Sequence, residues 1–146
     1  MMKKVLVLHG PNLNLLGERE PQIYGSLTLE EINRRLINAG EGLNLEVTCF
    51  QSNHEGELIT ALHEAHRTMD GVVFNPAGYS HTSVALRDAV AAIAVPVIEV
   101  HLSNPAAREE FRHTSLLAPV CRGTIAGFGW RSYWLGLLAM AEMLNE

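Results

Sequence analysis

Five short apolar runs, separated by segments of helical periodicity, constrain this chain more than any other feature. The first run, Val5-Leu6-Val7-Leu8, is apolar without a break, the pattern of a strand buried on both faces. The others are Leu45 to Phe50, Val72-Val73-Phe74, Val97-Ile98-Glu99-Val100 behind Pro96, and Thr124-Ile125-Ala126. Thr28-Leu29-Glu30-Glu31 reads as a capping box ahead of Leu29, Ile32, Leu36 and Ile37, with Gly40 and Gly42 as the stop. Ser52-Asn53-His54-Glu55 reads as a second capping box ahead of Leu58, Ile59, Leu62 and Ala65. A further helix is expected from about Thr82 to Ile93, a short one from about Ala106 to Phe111, and a last one from near Arg131. Such alternation builds an α/β fold with a parallel sheet and helices on both faces. Five strands predict the flavodoxin-like, doubly wound order 2-1-3-4-5. No linker, repeat or low-complexity segment interrupts the pattern, so residues 1–146 are expected to form a single domain.

In such a sheet, ligands bind at the carboxyl ends of the strands, beside the point where the strand order reverses. The polar residues gather there. Asn12, Asn14, Arg19 and Tyr24 follow strand one; Asn75, Tyr79, Ser80 and His81 follow strand three. Glu99, His101, Ser103, Asn104, Arg108 and Arg112 end and follow strand four. Tyr24 lies in a run bounded by Gly17 and Gly25, which reads as a hinged lid carrying a reactive group. His101 can donate a proton near neutral pH. A free tyrosine titrates near about 10, so Tyr24 serves as a base only beside cations such as Arg19 and Arg108. Arg112 can fork onto a carboxylate, Asn75, His81 and Ser103 can bond hydroxyls, and Asn12 can stabilise an oxyanion. The ligand this implies is a small hydroxylated acid.

Composition narrows the chemistry. The only lysines are Lys3 and Lys4, at the amino end of strand one and far from that edge. That position argues against Schiff-base catalysis and against a lysine-held nucleotide phosphate. A formal net charge of -5 argues against a nucleic-acid surface. No apolar run has the length of a membrane span, and the start Met1-Met2-Lys3-Lys4-Val5 reads as strand one rather than a signal peptide. Cys49 and Cys121 lack metal or redox spacing and are expected to be reduced in a cytoplasmic protein. His63-Glu64-Ala65-His66 has the wrong spacing for a zinc motif, and no metal or cofactor is expected.

Each residue also has a plainer reading. A lone tyrosine usually packs, a lone histidine usually satisfies a structural hydrogen bond, and Arg108 and Arg112 can pair with Glu109 or Glu110. Trp130 and Trp134 read as core or subunit interface, and Asp88 as surface or as a carboxylate reaching a neighbouring subunit. A binding module for hydroxy acids would use the same crevice without turnover. A flavodoxin would need a hydroxyl-rich phosphate loop where Gly10 to Leu16 stands, and a receiver domain an aspartate where Asn75 stands.

Longer motifs separate these readings. His9-Gly-Pro-Asn-Leu-Asn-Leu-Leu-Gly-Glu-Arg-Glu-Pro21 with Tyr24-Gly25 resembles the signature of type II 3-dehydroquinate dehydratases. The resemblance continues through Gln51 to Leu58, Asn75 to Asp88, Glu99 to Asn104, Arg108 to Arg112 and Gly123 to Gly129, nearly the whole chain. It implies a catalytic domain that dehydrates 3-dehydroquinate to 3-dehydroshikimate through an enolate, without a cofactor. Tyr24 would be the base, aided by Arg19 and Arg108, and His101 the acid, oriented by Glu99. Asn12 would stabilise the enolate through water. Asn75, His81, Leu102, Ser103 and Arg112 would bind substrate, with Asp88 contributed by an adjacent subunit of a dodecamer, a tetramer of trimers. Gly78, Ser80, Leu102 and Pro105 depart mildly from the family's usual residues, and none of these departures removes a named functional group.

Overall fold

The computed structural model describes all of residues 1–146. Five strands, β1 (Lys3–His9), β2 (Leu45–Gln51), β3 (Gly71–Asn75), β4 (Val97–His101) and β5 (Gly123–Ala126), form one parallel sheet in the order β2-β1-β3-β4-β5. This is the expected order. Register places Val5 opposite both Val47 and Gly71, and Glu99 opposite Phe74 and Thr124.

Strand side chains alternate between faces, so each run feeds two cores. Val5, Val7, Val73, Ile98 and Val100 pack with α2 (Leu29–Gly42) and α5 (Arg131–Leu144) through Ile32, Leu36, Tyr133, Leu137 and Met140. Leu6, Leu8, Val72, Phe74 and Val97 pack on the other face with α3 (Glu55–Thr68) and α4 (Val84–Ala92) through Leu58, Leu62, Leu86 and Val90. Burying each such aliphatic side chain stabilises the fold by roughly 1.5–3 kcal/mol. At Gly136 a Cβ would sit 3.0 Å from Val73 and 3.1 Å from Val100, so the residue lets α5 lie directly on β3 and β4.

Local details differ from the sequence reading. Thr28 does cap α2, accepting from the Glu31 N–H. The Ser52 box does not form: α3 starts at Glu55 with His54 at its cap and no side-chain cap bond. Ser52 Oγ accepts from the His54 N–H at 2.9 Å and donates to Glu57, so its turn ends before the helix begins. Ser83 caps α4, which therefore starts two residues after Thr82. The helix expected from about Ala106 to Phe111 is two 3-10 turns, Pro105–Ala107 and Glu110–Arg112, separated by an extended Arg108. Ile37, part of the apolar pattern of α2, is exposed; so is Trp134, which leaves subunit interface rather than core of its two readings.

Candidate active site

Three loops leave the carboxyl ends of β1, β3 and β4 and enclose a crevice of about 170 Å3. Ten of the residues expected at the site line it: Asn12, Arg19, Tyr24, Asn75, His81, His101, Leu102, Ser103, Arg108 and Arg112. Glu99 stands behind the wall, 1% exposed, and reaches the crevice only through His101. Asp88 is absent from this crevice; it lies on the outer face of α4, beside Arg87. Asn14, Tyr79, Ser80 and Asn104 gather at the same edge without lining the crevice. Tyr79 donates to the Asn53 carbonyl, Ser80 is buried, and Asn104 caps the turn at Ala106. A roomier groove of about 510 Å3 opens elsewhere, between the edge strand β2 and α3. It gathers no acid/base pair, and chemistry rather than volume identifies the site.

The β1 loop turns at Asn12, whose φ of 70° is left-handed and whose N–H donates to Asn53 Oδ1 at 2.9 Å. Beyond it, Tyr24 ends a one-turn helix, α1 (Pro21–Tyr24), between Gly17 at φ 91° and Gly25 at φ 89°. The Tyr24 ring lies between two guanidinium groups, Arg19 at 4.8 Å and Arg108 at 5.1 Å from its centroid. Its hydroxyl has no hydrogen-bond partner in the protein.

From β3, Asn75 is 2% exposed, and its Oδ1 accepts from the Ala77 N–H at 3.0 Å, turning the chain into the crevice. His81 Nδ1 donates to the Thr114 carbonyl at 2.8 Å, which leaves Nε2 as an acceptor for a ligand hydroxyl. From β4, His101 Nε2 donates to Glu99 Oε2 at 2.6 Å, which directs Nδ1 to the crevice side. The His81 and His101 rings stack with centroids 6.5 Å apart.

Arg108 and Arg112 pair with Glu109 and also face the crevice. Arg112 Nε lies 2.9 Å and Arg108 Nε 3.8 Å from Glu109 Oε1, while both side chains line the crevice. The backbone N–H and then Arg112 hold the Glu109 carboxyl below its usual range. Arg108 also donates to Ser103 Oγ at 3.3 Å. Glu109 thus steadies two arginines, a role that its sequence position alone did not distinguish from a surface ion pair.

A buried histidine ends β1. His9 is fully buried, with Nδ1 at 2.6 Å from the Tyr133 hydroxyl and Nε2 at 2.7 Å from Asn33 Oδ1. Burial pulls its pKa down to about 4, so it is neutral at pH 7. The Tyr133 phenol is pushed well above its usual range, chiefly by the same burial.

A doubly wound sheet that gathers a tyrosine between guanidiniums and a histidine–carboxylate pair at its switch point places the chain in the flavodoxin-like class, with groups able to give and take protons in one crevice. Residues 3–141 match the family model described as "Dehydroquinase class II". The chain therefore belongs to the class II dehydroquinases, a family of hydro-lyases. A protein of Bacillus licheniformis named 3-dehydroquinate dehydratase is 60% identical over 99% of this chain and 100% of its own. One of the same name from Synechocystis is 61% identical over 97% of this chain and 93% of its own. The crystal structure of type II dehydroquinase from Propionibacterium acnes superimposes with a TM-score of 0.94 at 46% identity, covering 97% of this chain and 98% of that one.

Proposed function

We propose that this chain is a single catalytic domain that dehydrates 3-dehydroquinate to 3-dehydroshikimate in the shikimate route to aromatic amino acids. Family membership supports the reaction. The observation that carries the mechanism is the Tyr24 ring between Arg19 and Arg108, in one crevice with the His101–Glu99 pair.

The substrate carries a ketone at C3, an acidic C–H at C2, and a hydroxyl and carboxylate at C1. Two guanidiniums supply the positive field that a tyrosinate base requires. Tyr24 removes a C2 proton, and the electron pair moves onto the C3 oxygen as an enolate. Asn12, through a water, stabilises that charge. The enolate then collapses and expels the C1 hydroxyl, which leaves as water with the proton from His101. Proton loss and hydroxyl departure take place on opposite faces of the ring, an anti elimination. Arg112 and the Leu102 and Ser103 backbones hold the carboxylate, and Asn75 and His81 hold the ring hydroxyls. The steps use a proton donor and a proton acceptor, both supplied by the chain, and call for no cofactor.

Asp88 serves the crevice of a neighbouring copy in a dodecamer built as four trimers. Its exposed position on α4, outside its own crevice, supports that role. No helix is long and apolar enough to cross a membrane, and both cysteines are free, which supports a cytoplasmic setting. Adding 3-dehydroquinate to the pure protein should raise the ultraviolet band of a conjugated enone, and borohydride should not trap an adduct. A protein that binds the substrate without raising the band is a binding module, and the proposal fails.

A further inference from the structure

We propose that Ser115 is a positioning residue for the Glu99–His101 pair, holding the buried carboxylate from the side away from the crevice. The inference rests on the proposed reading of His101 as the acid. Ser115 lies in the strap between the Glu110–Arg112 and Ala118–Val120 turns. Its Oγ is 2.8 Å from Glu99 Oε1 and 2.9 Å from Oε2. The same oxygen accepts the Leu117 N–H at 3.2 Å and the Ala118 N–H at 3.1 Å. A hydroxyl has two acceptor sites and one proton. With both acceptor sites taken by backbone donors, the proton can only be given to Glu99.

That matters because Glu99 has few other donors. It is 1% exposed, and His101 is its only partner within ion-pair distance. The titratable group facing it from beyond the strap is the Cys121 thiol, which burial and then the Glu99 charge push up to about 12. His81 stands behind His101, and Arg108 and Arg112 stand on the crevice side. The charge on His101 changes during turnover, whereas the Ser115 bond does not. Ser115 therefore keeps Glu99 oriented, with a donor on its carboxylate, in both states of the histidine. The same strap holds His81, whose Nδ1 meets the Thr114 carbonyl at 2.8 Å, while the Leu116 N–H donates to the Ser80 carbonyl at 2.7 Å. One strap thus fixes both histidines.

The test is steady-state kinetics of Ser115→Ala, Ser115→Cys and Ser115→Thr across pH, in wild-type and Glu99→Gln backgrounds, with an NMR titration of the His101 ring. Removing the donor should lower kcat by roughly ten- to hundredfold with little change in KM. The loss should vary with pH, because the missing donor is bonded to an ionisable carboxylate that pairs with His101. Ser115→Cys fills the same space but donates weakly and should follow Ser115→Ala. Ser115→Thr should follow wild type. In Glu99→Gln, Ser115→Ala should add little. The His101 titration should move to higher pH in Ser115→Ala, because a carboxylate that has lost a donor holds the imidazolium more strongly. Wild-type kcat and titration in folded Ser115→Ala overturn the inference. So does a pH-independent loss that persists in Glu99→Gln, because that is the mark of a turn cap. Wild-type protein without turnover overturns the functional reading instead, and the NMR titration still decides the role of Ser115.

Discussion

Tyr24 keeps its hydroxyl free of protein partners while its ring is flanked by Arg19 and Arg108. Charge is thus brought to the ring without occupying the atom that the proposed mechanism makes the proton acceptor. His101 is arranged the other way, with one nitrogen committed to Glu99 and one left for the crevice. His9 shows a buried histidine with a structural task. Its folded pKa is about 4 against about 6.5 when unfolded, so the unfolded chain binds the extra proton between those values. Stability from this residue is full above pH 6.5 and is lost as pH falls toward 4, by about 3 kcal/mol across the window. Urea unfolding of wild type at pH 7.5 and 4.5 should show that loss, and His9→Gln should show a smaller one. An equal pH dependence in both would contradict the assignment. At this scale Tyr24, His101 and the arginines were readable, because strand order alone assigns them to one edge. Ser115 was not, because it reaches Glu99 across sixteen residues of sequence with no motif between them.

At the scale of elements, tight joints matter more than helix lengths. Gly10 joins β1 to the Asn12 loop, and its N–H donates to the Asn75 carbonyl at 2.8 Å. A Cβ there would lie 2.6 Å from the Pro76 carbonyl oxygen, which is backbone and cannot rotate away. Gly10→Ala should therefore destabilise by about 1–3 kcal/mol and lower activity together, since Asn75 must move. Thermal melting and kcat/KM check both; an unchanged melting point contradicts the steric account. The segment from Gly17 to Gly25 should close as a lid: two positive-φ glycines bound it, and α1 buries no residue. Amide exchange across residues 17–25 should slow when a non-reacting substrate analogue binds, and unchanged exchange would rule out closure. The sheet and its four long helices were readable from periodicity. The Ser52 box and the Ala106–Phe111 helix were misread, because Ser52 spends its hydroxyl on an earlier turn and Arg108 adopts an extended backbone.

At the scale of the whole molecule, a single copy supplies every proposed group except Asp88. If Asp88 serves a neighbouring crevice, Asp88→Ala and Tyr24→Phe chains, each nearly inactive, should regain activity when unfolded together and reassembled. No recovery in mixed assemblies of full size would confine the site to one chain. The central claim is that this crevice eliminates water with Tyr24 as base. Its most direct test is kcat for 3-dehydroquinate in wild type and Tyr24→Phe, with substrate affinity of each measured by calorimetry. A fall in kcat of about 100- to 10,000-fold, with affinity and melting temperature nearly unchanged, is the predicted result. Turnover in Tyr24→Phe near the wild-type rate would contradict it.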